Sequence, residues 1–181
     1  KEKQYKSANE LWLSAGLVVA HRPSQSSVYS PPRDQVVYGI EARYHFNPKL
    51  ALMTGVHFGG NTVEDIAVDG GWIDQVYREL YWQVGVDFGV IESKYYHLQI
   101  GPRLGLQSAS IEVEGDDPAL VNELNIQTIN ATGLFAGAAV RAGVFVVPSC
   151  EVGLHIQMDY TMGAELSGFG REIGGYGVVH F

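Results

Sequence analysis

Apolar and polar residues alternate one by one along most of this chain. In residues 36–46, one face carries Val36, Tyr38, Ile40, Ala42, Tyr44 and Phe46, and the other carries Val37, Gly39, Glu41, Arg43 and His45. Successive side chains of a strand point to opposite faces, so this segment is predicted to be a strand with one apolar face. The same alternation, weaker in places, predicts seven further strands at 11–20, 50–59, 76–90, 96–106, 132–146, 151–163 and 173–181. We therefore expect an all-β protein of eight antiparallel strands.

The connections between these strands alternate between short and long. Asn47-Pro48, residues 91–94 and residues 147–150 are short, whereas residues 22–35, 60–75, 108–127 and 164–171 are longer and polar. Bacterial outer-membrane barrels have short periplasmic turns and long outer loops. We predict one transmembrane up-and-down barrel at 10–181, preceded by a periplasmic segment at 1–9, with both termini on the short-turn side and the four longer segments as outer loops.

Composition narrows the class of protein. Charged residues make up only 18% of the chain, against about 25% in an ordinary soluble domain, yet no apolar run approaches the roughly 20 residues of a spanning helix. The remaining choices are a well-buried soluble β fold and a membrane β-barrel. The net charge of -8 argues against a nucleic-acid partner.

The polar face decides between these two classes. A lipocalin-like soluble barrel would line its interior with the apolar face. Here the polar face carries small glycines together with charges of both signs, which could pair across a narrow lumen because an unpaired buried charge is costly. The predicted lumen charge network consists of Glu41, Arg43, Glu79, Asp87, Arg103, Arg141, Glu151 and Asp159. Aromatic residues of the apolar face cluster near the short turns, as in an interfacial girdle; they are Tyr44, Phe46, Phe88, Tyr96 and Phe181.

Three segments, 42–55, 96–105 and 175–181, resemble small outer-membrane barrels. The resemblance is to the porin-family "outer-membrane protein β-barrel" domains of Bacteroidetes, which share their architecture with opacity-protein and outer-membrane protein A barrels. It implies a Gram-negative outer-membrane location, contact with outer-membrane lipid and lipopolysaccharide, and insertion by the barrel assembly machinery. The terminal Phe181 resembles the assembly signal which that machinery reads. Such a family has many functions, so the resemblance implies no particular activity.

Candidate chemical sites are sparse. His155 and Asp159 share a strand face but lie roughly 13 Å apart, and lumen hydrogen bonds are favoured over a metal for the inward histidines. A lipid hydrolase would need a Ser–His pair, and nothing in the sequence orients Ser108 or Ser110 toward His21. The acidic stretch 112–117 is expected to be a solvated loop rather than a cation site. We expect no catalytic residue, metal or cofactor.

The outer face of one wall differs from the others. Strands six and eight place small residues where other strands carry large apolar ones, and these residues are Ala136, Ala138, Ala142, Gly175 and Gly177. Small residues let membrane segments pack closely, so this surface is a candidate docking wall for another outer-membrane protein. The expected function is a non-enzymatic barrel with a structural, adhesive or complex-forming role, exerted through its outer loops or outer wall. The alternatives are a lipid-modifying enzyme and a narrow solute-transport barrel.

Overall fold

The structure, a computed structural model, describes residues 10–21, 35–68, 71–114, 129–164 and 166–180. The described residues form eight strands: β1 (Glu10–His21), β2 (Gln35–Asn47), β3 (Leu50–Val68), β4 (Gly71–Glu92), β5 (Tyr96–Glu114), β6 (Ile129–Val147), β7 (Cys150–Met162) and β8 (Gly168–His180). Each strand pairs antiparallel with its neighbours in sequence, and β8 pairs with β1, so the sheet closes. The predicted eight-stranded up-and-down barrel is confirmed. No helix that could span a membrane occurs in this described part of the chain.

The two ends of the barrel differ in their connections. Residues 48–49, 93–95 and 148–149 form the three short links at one end, which we call the short-turn end. The Asn47 side chain stabilises the first of these links by accepting a hydrogen bond from the Lys49 amide at 2.8 Å, as turn asparagines commonly do. β1 begins and β8 ends at this same end, since Trp12 pairs with His180. The opposite end is called the loop end.

The apolar face of the sheet points outward and the polar face points inward. Ile40 is 61% exposed, whereas its neighbours Glu41 and Gly39 point into the lumen, where Glu41 is 6% exposed. The aromatic residues predicted for the short-turn girdle, Tyr44, Phe46, Phe88 and Tyr96, are all exposed on the outside, and Phe181 lies outside the described residues. Aromatic pairs also occur toward the loop end, Tyr38 with Phe58 and Tyr160 with Phe169. The outer surface is therefore an apolar band bordered by aromatic rings, as a bilayer requires.

The barrel wall is not of even height. Counted over the described residues, β3 to β6 have 19, 22, 19 and 19 residues, whereas β7, β8, β1 and β2 have 13, 13, 12 and 13. We call β3–β6 the tall wall and β7, β8, β1 and β2 the short wall. The excess lies at the loop end, where β3 and β4 continue to the pair Val68–Gly71.

This extension differs from the predicted loop boundaries. Apart from 69–70, which the structure does not describe, residues 60–75 are strand, and β5 runs to Glu114 rather than ending before 108. In the link predicted at 164–171, strand β8 already begins at Gly168. The predicted outer loop 22–35 and the predicted periplasmic segment 1–9 lie outside the described residues, except for Gln35, which begins β2. The sequence of these extensions predicted loops because polar residues occur on both strand faces beyond the apolar band.

Candidate functional site

Three arginines and two carboxylates form an ion-pair cluster in the middle of the lumen. Arg43 binds Asp87, with Nε 2.9 Å from Oδ2, and also contacts Glu41 on its own strand. Arg103 pairs with Asp87, and Arg141 reaches across the lumen to Glu41. All five side chains are almost fully buried. Each predicted lumen arginine therefore contacts a carboxylate, and the whole cluster ties β2, β4, β5 and β6 together.

The contacts of the other three predicted carboxylates include uncharged and histidine side chains. Glu79 accepts a hydrogen bond from Gln107, and Asp159 accepts one from Gln157 at 3.1 Å. Glu151 accepts a hydrogen bond from the Tyr176 hydroxyl at 2.7 Å and lies 3.3 Å from His97 Nε2. The predicted network is therefore one central ion cluster with hydrogen-bonded carboxylates above and below it.

Sequence reasoning missed Glu172, which is the most deeply buried carboxylate among the residues whose burial is described. It is 0% exposed, and its Oε2 lies 3.5 Å from His57 Nδ1 and 3.9 Å from His155 Nε2. His57 Nε2 lies 3.2 Å from Glu41 on its other side, so one imidazole links two carboxylates. The last strand was predicted to begin at Ile173, directly after Glu172. A predicted start one residue earlier would have included Glu172 on the inward face.

Inward glycines provide the space for these large side chains. A Cβ at Gly39 would come within 2.7 Å of the His57 ring, and one at Gly85 would come equally close to the Arg103 guanidinium. A Cβ at Gly143 or Gly153 would collide with the Tyr176 hydroxyl. The glycines of the polar face are thus the counterpart of the bulky ionic groups, as predicted.

Apolar side chains fill the lumen on both sides of the charged layer. Trp12, Phe145, Tyr176 and Val178 pack together toward the short-turn end. At the loop end, Leu166 from the β7–β8 link packs against Tyr77, Ala109, Ile111 and Ala131 of the tall wall. Between them, a cavity of about 20 Å³ beside Glu41, His57 and Arg141 has room for about one water molecule.

Among the residues that the structure describes, the candidate catalytic and cation-binding residues do not assemble into a site. Ser108 lies on β5 and His21 on β1, which are diametrically opposed in a ring of eight strands. Glu112 is ion-paired with Arg78 on the outside of the tall wall, and residues 115–117 lie outside the described residues. No group of three or more metal-ligating side chains occurs among the residues that the structure describes.

The outer surface of the predicted docking wall is uneven. Ala136, Ala138 and Ala142 on β6 and Gly175 and Gly177 on β8 all face outward, but β7 lies between them. Leu154, 66% exposed, stands between Ala142 and Gly175, and Met158, 65% exposed, stands beside Ala138. The small residues therefore form two troughs on either side of a ridge made by β7.

Comparison with known proteins identifies the fold. No protein-family model and no curated protein matches the chain. Among solved structures, it is similar to Neisserial surface protein A, with 15% identity over 94% of this chain and 97% of that one, and a TM-score of 0.69. OprG from Pseudomonas aeruginosa gives 8% identity, 99% coverage of both chains and a TM-score of 0.63. The attachment invasion locus protein Ail of Yersinia pestis gives 15% identity, 96% and 99% coverage and a TM-score of 0.62. At these identities the likeness concerns the fold, and this chain has the fold of the small eight-stranded outer-membrane barrels.

Proposed function

We propose that this chain is a non-enzymatic integral barrel of the bacterial outer membrane, with periplasmic termini, that acts through its exterior as an adhesive or complex-forming component. The observation that carries the proposal is the filled lumen. Buried ion pairs lie in its middle, and clusters of buried apolar side chains pack on both sides of them. A side chain–filled interior leaves the loop end and the outer wall as the surfaces able to bind something.

The filled lumen weighs against the transport alternative. A solute would have to displace Arg43, Arg103 and Arg141 from their carboxylates, and breaking a buried ion pair costs about 3–5 kcal/mol. The enzymatic alternative lacks geometric support as well, because Ser108 and His21 lie on opposite strands. Both arguments favour a role in contact rather than in catalysis or conduction.

Adhesion would use the loop end, where the tall wall projects. Trp72 at the tip of the β3–β4 hairpin is 63% exposed, and tryptophan is enriched in protein–protein interfaces relative to the rest of the surface. Ail, one of the similar structures, was solved in complex with the heparin analogue sucrose octasulfate. The present chain carries a net charge of -8, which disfavours such a polyanion, so an uncharged or cationic adhesive partner is proposed.

Complex formation would use the troughs beside β7. Ala142, Gly175 and Gly177 leave the backbone of β6 and β8 open to close approach by another membrane protein, and close packing is a main source of association in lipid. The short-turn half of this wall, on either side of Leu154, is the proposed contact.

Site-specific photo-crosslinking in cells tests the proposal. A photoreactive residue is placed at Ala142 for the wall, at Trp72 for the loop end, and at Leu52 as the control, an outward residue of β3 on the opposite side of the ring. We expect a discrete protein adduct from Ala142 or Trp72 and only lipid adducts from Leu52. Adducts that are the same at all three positions, or a steady ion conductance of the purified barrel in planar bilayers, would contradict the proposal.

A further inference from the structure

The pairing of β4 with β5 is interrupted at one point in the barrel wall. The ladder is regular up to the pair Gly85–Arg103 and resumes at Phe88–Ile100 without a shift in register, but no backbone pair is formed between them. Pro102 lies in this gap and is the one proline within the eight described strands. Because proline has no backbone N–H, it cannot donate to the neighbouring strand. The missing donor therefore accounts for the break in the ladder.

A side chain lies across this break. Nη1 of Arg103 donates to the carbonyl oxygen of Pro102 at 3.0 Å and to that of Val86, on the opposite strand, at 3.4 Å. In the continuing register Val86 stands directly opposite Pro102, so its carbonyl is the one that a backbone N–H at position 102 would reach. The guanidinium thus supplies, from a side chain, a donor that the backbone of β5 lacks.

Glycines on both strands make room for this arrangement. A Cβ at Gly85 would come within 2.7 Å of Arg103 Nη1, and one at Gly101 would collide with the carbonyl oxygen of Val86. The first glycine lets the guanidinium lie against the backbone of β4. The second lets the Val86 oxygen point at the backbone of β5 next to Pro102. The proline, the two glycines and the arginine are therefore complementary parts of one local structure.

The other nitrogen of the same guanidinium is held by the ion-pair cluster. Nη2 of Arg103 binds Oδ1 of Asp87, and Oδ2 of Asp87 lies 2.9 Å from Nε of Arg43. Arg103 and Asp87 are each only 1% exposed. Arginine presents its N–H groups in a rigid planar fork, so one guanidinium can bind a carboxylate with one nitrogen and a carbonyl with another. The position of Nη1 at the break is thus fixed by a carboxylate in the lumen.

We propose that Arg103 is a clasp that closes the break between β4 and β5, and that the central ion-pair cluster thereby controls how firmly the barrel wall is closed at Pro102. Because Asp87 orients the guanidinium, a change that withdraws either side chain loosens β4 from β5 locally. The break lies inside the membrane crossing, since Pro102 is the seventh residue of β5 from the short-turn end and about 9–11 residues cross a bilayer. The lumen charges are thus coupled to the backbone hydrogen bonds of the wall.

Hydrogen exchange of single backbone amides, measured by NMR on the folded barrel in lipid nanodiscs, tests the clasp. Arg103→Lys keeps a cation beside Asp87 but loses the planar fork. The amides of the flanking pair, Phe88 and Ile100, should then exchange at least about tenfold faster, because a hydrogen bond from a charged donor is lost. Pro102→Ala restores an N–H to β5. In that background the same lysine substitution should change the exchange of these amides by less than about twofold, since the two changes affect one interaction.

Two control variants separate the clasp from the ion pair and from proline substitution in general. Arg43→Lys alters the other guanidinium that binds Asp87, and its effect on these amides should be the same with and without Pro102→Ala. Pro148→Ala changes a proline in the short link between β6 and β7 and should leave the response to Arg103→Lys as it is. The new amide of Pro102→Ala should itself exchange as slowly as its neighbours on β5.

Three results would overturn the inference. Equal acceleration by Arg103→Lys with and without Pro102→Ala would mean that Arg103 stabilises the wall through its ion pair alone. No acceleration in the parent background would mean that the guanidinium does not hold the break closed. Fast exchange of the new amide in Pro102→Ala would mean that the Val86 carbonyl does not face it. If Arg103→Lys alone does not fold, rescue of folding by Pro102→Ala supports the clasp, and a failure of rescue counts against it.

Discussion

The tall wall and the short wall are continuous sheets with the same inside-out pattern, yet they end at different heights. β4 has 22 residues and β8 has 13, a difference of 9, which corresponds to about 30 Å along the strand. About 9–11 tilted residues suffice to cross a bilayer. β7 and β8 are therefore little more than a membrane crossing, whereas the tall wall crosses the membrane and then projects from it.

The side chains change character at the height where the short wall stops. Below it, the tall wall carries Asp87, Arg103 and Arg141 inward and large apolar residues outward. Above it, Arg78 and Glu112 pair on the outside in the open, and Ile73, Tyr77 and Ile111 are buried on the inside. The part of the tall wall beside the short wall thus has the apolar outer face and polar inner face of a membrane barrel. The part beyond the short wall has the polar outer face and apolar inner face of a soluble β-sheet. Substitutions of similar chemistry should have different effects in the two parts.

The largest effect is expected from Arg103→Leu in the lower part. The substitution leaves the Asp87 carboxylate with one fewer buried cation, and removing one partner from a buried ion pair costs about 3–5 kcal/mol. The free energy of unfolding, measured by urea titration in lipid vesicles, should fall by that amount. An unchanged unfolding midpoint would mean that water screens the lumen and that the ion pairs contribute little.

A charge introduced on the lipid face should have the next largest effect. Ile156 is the seventh of the 13 residues of β7, and it is exposed on the outside. Ile156→Arg should cost about 2–4 kcal/mol, the cost of arginine at the midplane of a barrel in a bilayer. Trp72→Arg at the tip of the tall wall is the matched control and should change stability by less than about 0.5 kcal/mol. Equal costs at the two positions would place the hairpin tip in the membrane.

Leu166 tests how the two walls are joined above the membrane. This side chain leaves the short wall and packs, 3% exposed, into the inner face of the tall wall. Leu166→Ala should cost about 2 kcal/mol, at the low end for a buried leucine, and should raise hydrogen exchange in the upper parts of β4 and β5 before it affects β7. If exchange rises uniformly, the cluster does not hold the extension in place.

The smallest effect is expected from Arg78→Leu. Its ion pair with Glu112 is exposed on both sides, and such pairs contribute about 0–1 kcal/mol. The thermal unfolding midpoint should hardly move, and high salt should reduce any remaining difference from the parent protein because it screens exposed charges. A loss comparable to that of Arg103→Leu would show that the upper part of the tall wall is stabilised by its charges.

Alternation predicted the number of strands and which side chains face inward, because a period of two is imposed by each strand alone. It did not predict strand length. Asn61, Thr62, Asp74 and Gln75 look like loop residues because polar side chains occur on both faces of the extension. Nor could it match arginines to carboxylates. Arg141 and Glu41 are 100 residues apart, and their meeting depends on the register of several intervening strands and on the width of the lumen.

The troughs beside β7 were beyond sequence reasoning for a related reason. The small residues of β6 and β8 were visible, but whether they adjoin is decided by the strand between them. The strand pairing places Leu154 and Met158 of β7 between these small residues, so the predicted docking wall consists of separate surfaces on β6 and β8. The surface on β8 includes Arg171, which was predicted to lie in the loop 164–171.

Two contacts across the lumen, Arg141 with Glu41 and Glu172 with His57, also constrain the order in which the strands assemble during folding. The first contact joins β6 to β2, and the second joins β8 to β3, so each requires segments made early and late in synthesis to be present together. A half-built sheet placed in lipid would present these groups to hydrocarbon without their partners. Such long-range contacts make folding slow, and they favour a route in which the ring closes while its inner face is still hydrated and the charged layer loses its water last.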